Sequence, residues 1–290
     1  MKSLLAPAKF TRRRFWSLAA GGFTAVVLSR NAWSASDGIP AGIQLHTVKD
    51  DFEKDPADTL RRLAQIGYSE VETGGFGRLT ASQFRNLVRD AGLRVPSAHL
   101  AFGMEATSKM LDDIKTLGAE YAVSSVLAPR PLDPSEGIQS FLKLLNSMTA
   151  NDFKHTAAKA NDIAQKAQAA GLQYAYHNHP FEFRDLGGGQ TGYDILLRET
   201  DPSIVKFELD CGWMKVAGVD PVAYLTRHPG RFVMLHIKDF DTNNKPIVEA
   251  GLKAGIKHIF VEQEPPFKEM TPMEVAAADY AALHSLLAHH

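Results

Sequence analysis

The chain has 290 residues, of which 44% are hydrophobic and 22% charged, a composition typical of globular proteins. A net charge of -1 and an isoelectric point near 6.8 give no support for a nucleic-acid or anionic-membrane partner, whose binding surfaces are usually basic. The single cysteine, Cys211, excludes an intrachain disulfide, so the fold must rest on its core or on a metal.

The first 35 residues have the pattern of an export signal, and 36–290 are predicted to be a single domain. "TRRRFWS" precedes an apolar run of 11 residues, Leu18–Leu28, and then the small residues of "NAWSAS". That order is typical of a signal peptide, and Arg12–Arg13 followed by Phe15 resembles the twin-arginine type. The run is too short for a membrane anchor, which needs ~20 residues. We therefore predict cleavage at about residues 34 to 36, a periplasmic location and no stable membrane anchor afterwards.

From Gly42 onward, short apolar runs alternate with helical patterns. The eight runs predicted to be strands are Gly42–Thr47, Tyr68–Thr73, Leu93–His99, Tyr121–Val126, Gln173–His179, Ile204–Asp210, Phe232–Asp239 and His258–Glu264. The predicted helices start at Asp55–Pro56, cover Thr80–Ala91, end near Gly118, and then cover Asp152–Ala170, Tyr193–Glu199, Pro221–Arg227, Pro246–Ala254 and Thr271–Leu287.

This alternation defines the predicted fold class. Alternating strands and helices favour a parallel sheet, and eight such units in ~250 residues are typical of the α/β (β/α)8 TIM barrel. A doubly wound open sheet is the alternative, but the glycine fingerprint that binds phosphates is missing after the first strand. We therefore assign no residue to a nucleotide cofactor.

Polar residues are concentrated at the C-terminal ends of the predicted strands, where TIM barrels form their active sites. His177 and His179 share one face of their strand because side chains alternate with period two. The same holds for three further pairs, which are Glu208 with Asp210, His236 with Lys238, and Glu262 with Glu264. If these pairs point inward, the imidazoles and carboxylates need a cation or a proton network. Such a ligand set suits manganese, cobalt, iron or zinc rather than calcium.

Each of these residues also has a purely structural interpretation. A single strand histidine is more often a hydrogen-bonded structural residue than a metal ligand. Glu70 and Glu208 could instead face the helices or form ion pairs, and Glu182 could be an ordinary loop carboxylate. Trp213 and Met214 are expected to be packing residues. The agreement of strands five to eight at one end of the barrel favours a functional site.

Four segments carry a family resemblance. "YHNHPFEF" (176–183), "FELDCGW" (207–213), "HIKD" (236–239) and "VEQE" (261–264), in this order, resemble the sugar phosphate isomerase/epimerase group of the xylose isomerase-like TIM barrels. Secreted twin-arginine members of that group also begin "GIQLxT" and read "GYxxVE" at strand two, as this chain does. The resemblance covers about residues 41–287 and implies the same barrel.

The resemblance also implies one divalent metal ion, with manganese as the first expectation and zinc, cobalt, magnesium or iron as alternatives. The ligand positions of the family are matched here by His177, Asp210, His236 and Glu262. The remaining polar residues implied in acid/base chemistry or substrate binding are Glu72, His99, His179 and Lys238. Two features depart from the family. Ketose epimerases have a glutamate where His177 stands, and the segment after "HIKD", at 240–245, is short and could weaken activity or alter specificity.

The chemistry that suits such a site is proton abstraction next to a carbonyl, with the metal as Lewis acid. We predict an isomerase or epimerase that acts on a keto or free sugar, with His179 or Glu262 as base and Lys238 neutralising the oxyanion. A 3-keto-sugar hydratase or lyase and a catalytically weak sugar-binding paralogue are the alternatives. A DNA-repair enzyme of the endonuclease IV type is opposed by the near-neutral charge. The expected partner is a small-molecule carbohydrate, and a homodimer is left open.

Overall fold

The computed structural model describes residues 38–101, 106–130, 138–238, 243–267 and 269–288, so the predicted export signal and part of segment 240–245 lie outside it. The strands are β1 (Ala41–Gln44), β2 (Glu70–Glu72), β3 (Ser97–His99), β4 (Tyr121–Ser124), β5 (Gln173–His177), β6 (Val205–Asp210), β7 (Phe232–Ile237) and β8 (His258–Val261). The helices are α1 (Lys49–Lys54), α2 (Pro56–Ile66), α3 (Ala81–Asp90), α4 (Ser108–Leu117), α5 (Ile138–Ser147), α6 (Ala150–Ala169), α7 (Gly192–Glu199), α8 (Cys211–Val216), α9 (Pro221–Arg227), α10 (Lys245–Ala254) and α11 (Pro272–Leu287).

The eight strands form one parallel sheet that is nearly closed on itself. Its order is β2-β1-β8-β7-β6-β5-β4-β3, and each neighbouring pair is parallel. The two outer strands approach each other through isolated bridges, Glu70 with Arg94 and Thr73 with Ala98. The predicted (β/α)8 TIM barrel is therefore confirmed.

The strands are shorter than predicted at their C-terminal ends. β5 ends at His177, β7 at Ile237 and β8 at Val261, where ladder pairing stops. His179 consequently lies beyond its strand, at the start of a short 3-10 helix, Pro180–Phe183. The side chains nearest to the barrel mouth are thus carried by the loops that follow the strands, as in other TIM barrels.

Most predicted helices are present, and their starts follow capping chemistry. Threonine side chains accept hydrogen bonds from the first turns of α3, α6, α7 and α11, and each forms a capping box. Three of the helices, α1, α5 and α8, were not predicted from the sequence. α8 follows β6 without an intervening turn because Asp210 is both the last strand residue and the N-cap of the helix. No helix in the described part of the chain is long and apolar enough to cross a bilayer.

A small apolar layer fills the barrel below its polar end. Tyr121, Val123, Ala175, Met234 and Phe260 form this cluster, separate from the larger core between strands and helices. By the two-residue alternation, they lie on the faces that carry the polar residues at the strand ends. At Gly42, a Cβ would lie 2.4 Å from the ring of Phe260, so the absent side chain lets this ring fill the interior. The polar site rests on this apolar floor.

Candidate active site

A cavity of about 540 Å³ opens at the C-terminal ends of the strands. Its volume lies in the range of small-molecule sites. Its polar lining on the strand side includes His99, Ser125, His177, His179, Glu262 and Glu264. Trp213 also lines the cavity, although the sequence analysis expected a packing residue at that position. The opposite wall is formed by the segments after β1 and β2.

Carboxylates and imidazoles alternate at the bottom of this cavity. Glu208 Oε2 lies 2.9 Å from His177 Nδ1 and 3.0 Å from His99 Nε2. Its other oxygen, Oε1, lies 3.3 Å from His236 Nε2. Glu72 Oε2 lies 2.7 Å from His236 Nε2 and 3.2 Å from His99 Nε2. Because ionised groups are costly to bury alone, each charge in this cluster is matched by partners of the opposite kind.

The cluster shifts the pKa values of acids and imidazoles in opposite directions. Burial disfavours the charged form of His99, but the carboxylates of Glu72 and Glu208 outweigh it and raise its pKa to about 10. The same two carboxylates overcome burial at His236 and hold its pKa well above the usual value. Burial likewise opposes ionisation of Glu208, but the imidazoles keep the pKa of this carboxyl well below the usual value. The carboxylates are therefore ionised at neutral pH and available as ligands.

Lys238 provides a fixed positive charge at the barrel mouth. Its Nζ lies 3.1 Å from Asp210 Oδ2, 3.0 Å from Glu262 Oε2 and 2.8 Å from Glu264 Oε1, and 4.4 Å from the centre of the Trp213 ring. Burial opposes its charge, but the three carboxylates outweigh burial and raise its pKa. Burial also opposes the charge of Glu262, but Lys238 keeps the pKa of that carboxyl well below the usual value, so Glu262 is a weak base.

The imidazole of His179 lines the cavity and is neutral. Its backbone N–H donates to Glu182 Oε2 at 2.8 Å, and its ring stacks on Trp213 at 6.0 Å and 23°. Burial, together with the neighbouring His177 and Lys238, holds its pKa well below the usual value. Both predicted bases, His179 and Glu262, therefore have lowered pKa values, and which of them acts as the base stays a prediction.

The residues predicted for the site come together in one network. The predicted ligands and acid/base residues converge at the barrel mouth, namely Glu72, His99, His177, His179, Asp210, His236, Lys238 and Glu262. Glu70 lies two residues before Glu72 on β2, deeper in the barrel. It pairs instead with His258 at 2.8 Å and with Arg94 at 2.6 Å. The predicted roles themselves stay predictions.

Sequence reasoning assigned no role to several groups that complete the network. Glu208 was left open and proves fully buried at its centre. Gln44 Nε2 donates to Glu72 Oε2 at 2.8 Å, and the Ser97 hydroxyl donates to the other oxygen of Glu72. Ser125 Oγ lies 2.9 Å from His99 Nδ1. Strand parity with Asp210 was the signal that could have placed Glu208 inside.

The donor set fits a borderline divalent ion. Two overlapping groups have ligand atoms within 4.8 Å of one another. The inner quartet is His99, His177, Glu208 and His236, and the outer quartet, predicted from the sequence, is His177, Asp210, His236 and Glu262. Two buried oxygens make ionic contacts but no hydrogen bond of good geometry with the described residues, Glu208 Oε1 at 3.3 Å from His236 Nε2 and Asp210 Oδ2 at 3.1 Å from Lys238 Nζ. Mixed nitrogen and oxygen donors favour manganese, iron, cobalt or zinc.

Fold and site together define a TIM-barrel protein with a cluster of metal-ligating side chains at the barrel mouth. Residues 60–290 match the family model of the xylose isomerase-like TIM barrel, and the chain belongs to this family. A sugar phosphate isomerase/epimerase from Parabacteroides distasonis superposes with a TM-score of 0.73 at 26% identity, over 88% of this chain and 98% of that one. The expected resemblance to that group is thereby confirmed.

Two further similarities are more distant. An inosose dehydratase from Lacticaseibacillus casei is 30% identical over 118 residues, which is 37% of this chain and 38% of the relative. The chain thus matches little more than a third of that relative's length. The structure of an L-ribulose 3-epimerase has a TM-score of 0.65 at 13% identity, over 87% of this chain and 95% of that one, and supports the fold alone.

Proposed function

We propose that the protein is a divalent-metal-dependent isomerase or epimerase that moves a proton next to the carbonyl of a keto or free sugar. The observation that carries this proposal is the neutral imidazole of His179 beside the ammonium of Lys238, above a buried cluster of imidazoles and carboxylates. The isomerase/epimerase group to which the chain is similar supports the same reaction class.

In this proposal His179 accepts the proton from the substrate carbon next to the carbonyl. The electron pair left behind forms an enediolate, and the ammonium of Lys238 neutralises the charge that develops on oxygen. A bound metal ion would polarise the carbonyl as a Lewis acid. If the proton is returned to the former carbonyl carbon, while a proton moves between the two enediolate oxygens, the product is an isomer. If a different acid delivers a proton to the opposite face of the original carbon, the product is an epimer.

A 3-keto-sugar hydratase or lyase is the second candidate. The specific observation in its favour is the similarity to an inosose dehydratase. Elimination begins with the same proton abstraction, and the enediolate then expels a hydroxyl group from the neighbouring carbon. The two candidates therefore share His179 and Lys238 and differ in the product.

The test is proton exchange in deuterated water, with manganese-loaded chain and a panel of keto-sugars. We expect deuterium to enter the carbon next to the carbonyl, and His179→Gln to slow this exchange by roughly 100-fold or more, the scale of general-base catalysis. His284→Gln, on the exposed side of α11, is the matched control and should exchange like wild type. Tight sugar binding without exchange would instead indicate a sugar-binding paralogue.

The periplasm is the proposed location, supported by the arginines and apolar run before residue 36. We expect the double variant Arg12→Lys/Arg13→Lys to keep the full-length precursor in the cytoplasm, because the twin-arginine route reads this pair. Cell fractionation, with detection of the C-terminus of the protein, measures how much of the variant is exported. Export of the variant at the wild-type level would contradict the twin-arginine assignment.

A further inference from the structure

The segment after β5 contains two buried polar residues that have no part in the proposed reaction. Asn178 precedes His179, Glu182 follows it three residues later, and both are fully buried. The sequence allowed Glu182 to be an ordinary loop carboxylate, which would be solvated. A polar side chain is costly to bury unless it is hydrogen-bonded, so the contacts of these two residues show what they do.

The carboxyl group of Glu182 holds the backbone of His179. Its Oε2 accepts a hydrogen bond from the backbone N–H of His179 at 2.8 Å, and its Oε1 accepts one from the hydroxyl of Tyr176 at 2.9 Å. Tyr176 belongs to β5 and is itself buried. The carboxyl group therefore links the loop residue His179 to a strand of the barrel wall.

Asn178 fixes the other side of His179. The ladder between β5 and β6 ends with the pair His177 and Glu208. One residue further, the Asn178 side chain donates to the carbonyl of Asp210 at 3.1 Å and accepts from the backbone N–H of Asp210 at 2.9 Å. This amide bonds to both backbone groups of Asp210 beyond the end of the ladder. The backbone of His179 is thus held from both directions along the chain.

The ring of His179 packs between aromatic neighbours. It stacks on Trp213 at 6.0 Å and 23° and on Phe181 at 6.3 Å and 29°. With the backbone fixed and the ring packed in this way, the nitrogens of the imidazole have a defined place in the cavity. Such precision matters for proton transfer, because a displacement of ~1 Å can slow a reaction ~100-fold.

We propose that Glu182 is a positioning residue, whose buried carboxyl group places the imidazole of His179 by fixing the backbone that carries it. Glu182 is not among the described residues that line the cavity, so it does not contact the sugar itself. This inference rests on the proposed function, in which His179 accepts the proton. Loss of the carboxyl group should therefore slow proton transfer and leave the affinity for the sugar unchanged.

Two substitutions separate the hydrogen bonds of Glu182 from its charge. Glu182→Met removes both acceptors and keeps a side chain of similar length. Glu182→Gln keeps one oxygen for the N–H of His179, and its amide can donate to the oxygen of Tyr176. Burial raises the pKa of Glu182 well above its usual value, so an uncharged glutamine resembles the group that it replaces.

The measurement is deuterium exchange by the manganese-loaded full chain at saturating keto-sugar, with the member of the panel that wild type exchanges fastest. Calorimetric titration gives the affinity for the same sugar. We expect Glu182→Met to slow exchange by roughly 10-fold or more at unchanged affinity, and Glu182→Gln to exchange at close to the wild-type rate. Thr156→Val is the control for lost stability, because it removes a buried hydrogen bond to the carbonyl of Leu127 outside the cavity. It should melt earlier and exchange like wild type.

A double-mutant cycle tests whether Glu182 acts through His179. If it does, His179→Gln/Glu182→Met exchanges no more slowly than His179→Gln alone, because the group to be positioned is already missing. Should Glu182→Met fail to fold, Tyr176→Phe removes one of the two hydrogen bonds of the same carboxyl group, and its loss of rate should vanish in the same way.

Three results would overturn the inference and leave the proposed reaction intact. They are a further loss of rate in the double variant, a Glu182→Gln variant as slow as Glu182→Met, and a wild-type rate in His179→Gln alone, which would place the base elsewhere. Wild-type chain that exchanges none of the sugars would instead overturn the proposed function, on which this inference rests.

Discussion

A single glycine determines where Lys238 can lie. A Cβ at Gly212 would be 2.6 Å from Cβ of Lys238 and 2.9 Å from its Cδ. The nearest of these atoms is Cβ, which is bonded to the lysine backbone, so rotation of the outer side chain cannot relieve the contact. The missing side chain at the start of α8 thus lets the ammonium reach Asp210 and Glu262.

Gly212→Ala is therefore expected to displace Lys238. We expect a loss of unfolding free energy of about 1–3 kcal/mol from overpacking, and a changed emission of Trp213, because its ring loses the ammonium. The measurement is fluorescence of the full chain with Trp16→Phe and Trp33→Phe, which leaves Trp213 as its single tryptophan.

Gly251→Ala is the control for this experiment. Its Cβ would meet Leu235 Cδ1 at 2.7 Å and Ile256 Cδ1 at 3.0 Å, and neither of these residues lines the cavity. This variant should lose stability but keep the emission of Trp213. Equal emission changes in the folded forms of both variants would refute the role assigned to Gly212.

Helix α6 packs against β5, the strand that carries His177. α6 has 20 residues, and it begins with a capping box in which Asp152 N–H donates to Thr149 Oγ1 at 3.3 Å. Asp152 Oδ2 in return accepts from the backbone N–H of Thr149 at 2.9 Å. These bonds satisfy amide groups that the first turn of a helix leaves without partners.

Thr149→Ala should destabilise the fold without altering the site. The loss of the cap is expected to cost about 1 kcal/mol, which lowers the melting temperature by roughly 2–4 °C in a protein of this size. Thr149→Ser keeps the hydroxyl and should melt close to wild type. Melting curves of the three proteins measure the effect, and equal melting of the alanine and serine variants would argue against the cap.

Alternation of short elements was sufficient to predict the barrel and the face of His177. The ends of β5, β7 and β8 were placed too far along the chain, because the polar residues that follow them, such as His179, Lys238 and Glu262, were counted as strand positions although ladder pairing stops before them. α8 was missed because it is six residues long and starts from a strand residue. Six residues are too few for the spacing of apolar side chains to indicate a helix.

The role of Glu208 could not be predicted because its environment is made by distant segments. Parity places it on the face of Asp210, but His99 is 109 residues away in sequence. Glu72 and His236, its neighbours in the cluster, are 164 residues apart. Only the closed barrel brings strands two, three and seven to one point. The types of ligand residue could be predicted from the sequence, but the contacts between them could not.

At the scale of the whole molecule, the barrel links the proton state of this cluster to folding. The raised pKa of His99, about 10, means that the native chain holds a proton that the unfolded chain releases near pH 6.5. The stability that this proton provides is complete below pH ~6.5 and is lost as the pH rises toward about 10. The raised pKa of His236 also makes the fold less stable as the pH rises. The lowered pKa values of Glu72 and Glu208 make the fold less stable as the pH falls.

We therefore expect the chelator-treated chain to lose unfolding free energy between pH 6.5 and 10, by at most ~1.4 kcal/mol per pH unit for each such group. Urea unfolding at pH 6.5, 8 and 9.5 measures this slope. His99→Gln removes one titrating imidazole and should flatten it, whereas His284→Gln, whose ring packs on Tyr280 outside the cluster, should not. A slope unchanged by His99→Gln would mean that the charges of the cluster are not balanced by this imidazole. A steeper slope would mean that Glu72 and Glu208 rely on other groups to remain ionised inside the barrel.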